Sequence, residues 1–211
     1  MIGTTPRVAR RWLAGAAVMA LAGCARLFVA APGHLYRLSA ESAYPATLRR
    51  VTAQLLVDLP QAPAGIDTTR IALSRSPLSL DYYADSEWTD AVPALVQTLL
   101  LASFENSGAI TAIDRESIGL RADFVLKTEI RDFEAVGEAG GPPKVWVAII
   151  ARLVAMPQRE IIAQASFERH VPAAAIDVPA VVAAFNAAAD AVTRDIVVWT
   201  VTNPALSRKR R

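Results

Sequence analysis

The 211-residue chain has one cysteine and two histidines, and aromatic residues make up only 7 % of it. A single thiol excludes an internal disulfide. Neither His34 nor His170 stands in the close histidine spacing that zinc sites use. GxSxG, P-loop and dinucleotide fingerprints are all missing. The residues therefore offer no catalytic, cofactor-binding or metal-ligating motif, and both histidines read as structural. An excess of one charge is missing too: 22 basic residues face 20 acidic ones. Residues 1–23 hold three arginines and no acid, so without them 19 bases stand against 20 acids. Four of those bases are the terminal run Arg208 to Arg211, which reads as a solvated end. The remaining body is mildly acidic and has no basic face for nucleic acid. No apolar run reaches the roughly 20 residues that a spanning helix needs.

What is present begins at the N-terminus. Arg7, Arg10 and Arg11 precede the apolar stretch Trp12 to Ala22, the layout of a secretory signal peptide. The stretch ends Leu21-Ala22-Gly23-Cys24, which resembles the lipobox of bacterial lipoproteins. That resemblance implies a diacylglyceryl group on the Cys24 thiol, cleavage before Cys24, and acylation of the new N-terminus. A cysteine suits this chemistry because its thiolate is a strong nucleophile. Each buried acyl CH₂ contributes about 0.8 kcal/mol, and stable anchoring takes more than one chain. Ala25 rather than aspartate follows the lipidated residue, which in an envelope of two membranes favours the outer one. The expected organisation is a lipoprotein signal peptide over 1–23, a lipidated tether over 24–33, one domain over 34–203 and a basic tail over 204–211.

Within that domain, periodicity predicts strands at 34–38, 51–59, 69–75, 78–84 and 109–114. The pair 69–75 and 78–84 reads as a hairpin. Thr89 or Asp90 is expected to cap a helix reaching about Glu105. Val92, Leu95, Val96, Leu99, Leu100 and Phe104 lie on one side of it, Pro93 in its first turn and Gly108 past its end. Residues 122–133 alternate as a half-exposed strand, with Phe124, Leu126 and Ile130 facing in. Residues 134–143 read as a flexible loop. Residues 144–156 are apolar on both faces and belong in the middle of a sheet. A turn at 156–159 leads into a third strand, completing an antiparallel meander. Asp177 caps a long helix with Val181, Phe185, Ala188, Val192, Ile196 and Trp199 in one stripe. The expected fold class is α+β: a single domain with a mainly antiparallel sheet and two principal helices packed on it.

The run LDYYADSEW at 80–88 is the most distinctive. Asp81, Asp85 and Glu87 offer an acid pair or a cation site. The structural reading is that Tyr82 or Tyr83 packs inward, Trp88 anchors the helix start and the acids complement the helix N-terminus. An aromatic cluster of this kind also suits contact with a protein partner.

AQLLVDLPQAPAGIDTTRIAL, LDYYADSEWTDAVPALVQTLLLASFENSG, ADFVLKTEIRDFEA and VVAAFNAAADAVTRDIVVWT occur in the order seen in the ABC-type transport auxiliary lipoprotein family, whose PqiC-like members the chain resembles. The resemblance spans nearly the whole of residues 24–211, apart from the charged end SRKRR. It implies a non-enzymatic accessory in the periplasm, anchored in the outer membrane. The implied partners are an MCE-domain protein and its ABC transporter, which move lipids across the envelope, and further copies of the chain in a ring. Cys24 is the one functional position that transfers. Two alternatives stand beside this: an envelope lipoprotein that itself binds an apolar ligand in a cavity, and an envelope enzyme with titratable groups converging near Asp81, Asp85 or His170.

Overall fold

Strand β6 (Phe124–Val136) organises the sheet because it is long enough to serve several neighbours. On one edge it pairs along its whole length with β7 (Lys144–Ala155), antiparallel. On the other edge it takes two shorter strands in succession. Its N-terminal part runs parallel to β2 (Val51–Val57), and its C-terminal part runs parallel to β3 (Arg70–Ser76). Gln61 bridges to Glu129 between them. The computed structural model describes residues 33–40, 44, 48–76, 78–116, 121–137 and 140–207. Residues 1–32 and 208–211 therefore lie outside the described residues, and with them Cys24, the lipobox and the basic run.

The rest of the sheet grows from this centre. β4 (Ser79–Trp88) forms a hairpin with β3, and β1 (His34–Tyr36) lies parallel to β4. β5 (Ile110–Arg115) lies parallel to β2. β8 (Glu160–Pro172) pairs with β7 and completes the expected meander β6–β7–β8. The expectation of a mainly antiparallel sheet is corrected: the sheet is mixed, and four of the seven strand pairings among the described residues are parallel. The reason is topological. β2 and β3 follow one another along the same edge of β6 in the same direction, and a helix carries the chain back so that β5 lies parallel to β2.

That helix is α1 (Val92–Ser107). Neither expected residue caps it. Ala91 holds the N-cap position without a side-chain bond, while Asp90 Oδ1 accepts from the Ala91 N–H, one residue too early. Gly108 ends it in the left-handed region at φ 59°, where a Cβ is disfavoured. All six apolar residues expected on its inner side are buried. The long helix α2 (Val178–Thr202) starts as expected, with Asp177 accepting from the Ala180 N–H at 3.0 Å. A final turn, α3 (Pro204–Ser207), buries Leu206 in the core.

Both long helices belong to the same hydrophobic core as the inward residues of β2, β6 and β7. A bulge keeps β6 in phase with that core. Its pairing with β7 skips a residue between Ile130 and Asp132. Leu126 and Ile130 point inward before the bulge, and Phe133 and Ala135 after it. Strict alternation would have turned Phe133 outward. The strand also runs on to Val136, so part of the expected loop is β structure.

Candidate interaction surfaces

The acidic-aromatic run divides between core and surface. Trp88 is 1 % exposed and meets Phe133 and Phe185 edge-on, at centroid distances of 6.1 and 5.2 Å. Tyr82 turns the other way: its hydroxyl donates to the Gly65 carbonyl at 3.0 Å, and the Arg70 guanidinium sits 3.7 Å over its ring. Tyr83 packs at the core edge, where burial pushes its phenol pKa up against an opposing pull from Arg75.

The three acids do not form a joint site. Asp81 pairs with Arg75 at 3.6 Å. Glu87 accepts from the Thr69 hydroxyl at 2.9 Å. Asp85 occupies a bulge in β4 with φ 52°. Between the pairs Ala72–Tyr82 and Arg70–Glu87, β3 advances two residues and β4 five. That excess reorients the strand so that Trp88 enters the core. His34 is exposed and 6.4 Å from the Tyr36 ring. Among the described residues, no group of three or more histidine, cysteine, aspartate or glutamate side chains is placed to hold a metal ion.

His170 has a more informative setting, on the sheet face away from the helices. The meander register aligns Glu134, Trp146 and His170 in one rung, and Asp132, Ala148 and Glu168 in the next. His170 stacks on Trp146 with centroids 5.1 Å apart. Burial raises the Asp132 pKa, and the nearby Glu168 raises it further, while Arg131 and His170 lower it. Burial and then Asp132 raise that of Glu134. Toward the other end of the face, Arg152 bonds Glu129 at 3.0 Å and Gln164 at 2.8 Å. Lys127 pairs with Asp58 and with Glu116, and the Asp58 bond is the main reason its pKa is raised. The face is thus acidic and aromatic at one end and a balanced network of ion pairs at the other. Sequence reasoning missed it because its residues are spread over three strands. Only the alternation of 132 with 134 and of 168 with 170 hinted at a shared face.

The helix–sheet interface holds the apolar core. Clefts open at the surface around it. One of about 640 Å³ lies beside β2 and β5, lined by Leu56, Ile113, Asp114, Arg121 and Asp123 among others. One of about 240 Å³ lies at the β3–β4 hairpin end, between Arg75, Tyr83, Pro143 and Ile176.

The family described as the ABC-type transport auxiliary lipoprotein component matches residues 36–197. An uncharacterized protein of Bradyrhizobium diazoefficiens is 30 % identical over 154 residues, covering 72 % of this chain. The chain spans only 41 % of that relative's length. The crystal structure of a Xanthomonas campestris protein of the DUF330 family superposes with a TM-score of 0.75 at 28 % identity, over 79 % of this chain and 94 % of that one. An uncharacterized protein of solved structure shares the fold at a TM-score of 0.54 and 15 % identity, over 82 % of this chain and 97 % of that one.

Proposed function

Because the chain belongs to the ABC-type transport auxiliary lipoprotein family, we propose that it is a lipid-anchored accessory of an MCE/ABC-type lipid transport system. In this reading it acts as a docking or structural component between the membranes, not as an enzyme. Cys24 carries the acyl anchor in the outer membrane, the domain faces the periplasm, and an MCE-domain protein and the ABC transporter are its partners, with further copies of the chain as a possible ring.

The family match over residues 36–197 carries this reading. The cleft beside β2 and β5 is lined by Asp114, Arg121 and Asp123 as well as by apolar residues, which favours a docking body over a lipid carrier, because a carrier needs a mostly apolar cavity. Asp81 and Glu87 are held by separate partners and Asp85 sits in a bulge, which favours it over an envelope enzyme.

Two experiments test it. A palmitate analogue fed to cells is expected to label the wild type and leave Cys24→Ala unlabelled; equal labelling removes the anchor. Affinity capture of the full chain from detergent-solubilised membranes is expected to recover an MCE-domain protein. Capture that retains other envelope partners and repeatedly lacks an MCE protein removes the transport role.

A further inference from the structure

One end of the domain gathers exposed apolar side chains. Leu78, beside the tip of the β3–β4 hairpin, is 99 % exposed. Ile176, in the segment before α2, is 65 % exposed, and Val136, at the end of β6, is 39 % exposed. The pairing puts them at the same end. Ser74 of β3 lies opposite Val136, and Val136 opposite Lys144. Ile176 shares a cleft with Arg75 of the hairpin. Also at this end, Arg75 is paired with Asp81, and Lys144 is exposed. Solvated apolar side chains on a hairpin carry a transfer cost that an acyl layer or a partner removes.

The direction of β1 selects between those occupants. β1 is parallel to β4, with His34 opposite Ser86, and a Cβ at Gly33 would touch Asp85. Gly33, where the described chain begins, therefore stands on the hairpin side of His34. Nine residue steps separate Cys24 from Gly33, a reach of at most about 30 Å. Asp85 to Ser79 along β4 is roughly 20 Å. The hairpin end thus lies within reach of a bilayer surface that holds Cys24.

We infer that this end of the domain is a membrane-contact face: Leu78 and Ile176 enter the head-group layer, with Lys144 at its margin. The inference rests on the acyl anchor proposed above. The anchor holds the chain near the bilayer, and this face sets which way the domain points. Apolar side chains inserted in the head-group layer add to the hold of the acyl anchor. The opposite end, marked by the exposed Ile161 of β8, is left for partners.

The test uses the full acylated chain in vesicles of phosphatidylethanolamine and phosphatidylglycerol, with and without brominated phosphatidylcholine. Leu78→Cys, Ile176→Cys and Ile161→Cys each take an environment-sensitive dye, since the only native thiol is the acylated one. Bromolipid is expected to quench the dye at 78 and 176 at least twofold and to leave it at 161 unchanged. Quenching at 78 no greater than at 161 overturns the membrane face, even where intact mass shows acylated Cys24. Protection of 78 from iodide without bromolipid quenching overturns it too, and gives the face to a protein. Intact mass showing an unmodified Cys24 removes the anchor itself, and this inference with it. Leu78 is fully solvated, so its replacement does not threaten folding, and position 176 supplies an independent reading.

Discussion

The indole of Trp88 meets the ring of Phe185 edge-on, with centroids 5.2 Å apart and planes at 83°. Phe185 in turn stacks on Phe133 at 5.1 Å. This cluster of three rings joins the end of the β3–β4 hairpin, the long helix and the central strand. These rings hold the hairpin side of the sheet against α2.

Trp88→Ala is expected to destabilise the domain by about 3–5 kcal/mol, the range for emptying a buried aromatic site. Trp88→Phe is expected to lose less, because it retains a ring against Phe133 and Phe185. Urea midpoints of the two variants check this, and equal losses would mean that ring packing is not what holds the site.

Asp177 accepts from the Ala180 N–H at the start of α2. Its replacement by alanine leaves that donor without a side-chain acceptor and is expected to cost about 1 kcal/mol. Asp177→Ser is expected to recover most of the loss, read as the shift in thermal midpoint. Recovery separates capping from a general effect of charge.

Gly108 holds φ 59° and has no atom within 4 Å of where a Cβ would stand. Gly108→Ala therefore meets no clash, only the strain of the left-handed backbone, and is expected to cost about 1–2 kcal/mol. Asparagine tolerates this conformation better, so Gly108→Asn is expected to cost less than alanine in the same unfolding assay.

The raised pKa values of Asp132 and Glu134 give a pH dependence of definite sign. The folded state holds these protons more tightly than the unfolded chain does. Their contribution is therefore full below the ordinary carboxylate range and is lost as pH rises through the raised values. Asp132→Asn and Glu134→Gln are expected to gain stability relative to wild type as pH rises across that window. A difference that stays flat or falls with pH would show that folding does not raise the pKa of these carboxyls. Urea midpoints taken from pH 4 to 7 provide the measurement.

The helices and the meander were legible because their signals are local. The 4, 3, 4 spacing from Val181 to Val192 marks one face of a helix in any context. The double-sided apolarity of 144–156 marks a strand with neighbours on both edges, and β7 has them. The start of α1 was misplaced by a residue or two because several polar residues compete there. The parallel character of the sheet was not legible: nothing within 51–57 or 70–76 says that both will line the same edge of β6.

Cys24, the one functional residue the sequence singled out, lies outside the described residues, so its role stands on the lipobox pattern. The acids of 80–88 looked like a cluster in one dimension, yet a bulge at Asp85 and separate partners disperse them. Asp132, Glu134, Glu168 and His170 looked unrelated, yet the strand register sets them on one face. By itself, the sequence determined the composition of the core, the two helices, the antiparallel meander and the signal around Cys24. Each of those follows from side-chain type and spacing along the chain. The tertiary structure alone decided which strands share β6, where the bulges fall and which charges become neighbours. Strand pairing joins segments tens of residues apart, and a shift of one residue exchanges the buried face for the exposed one.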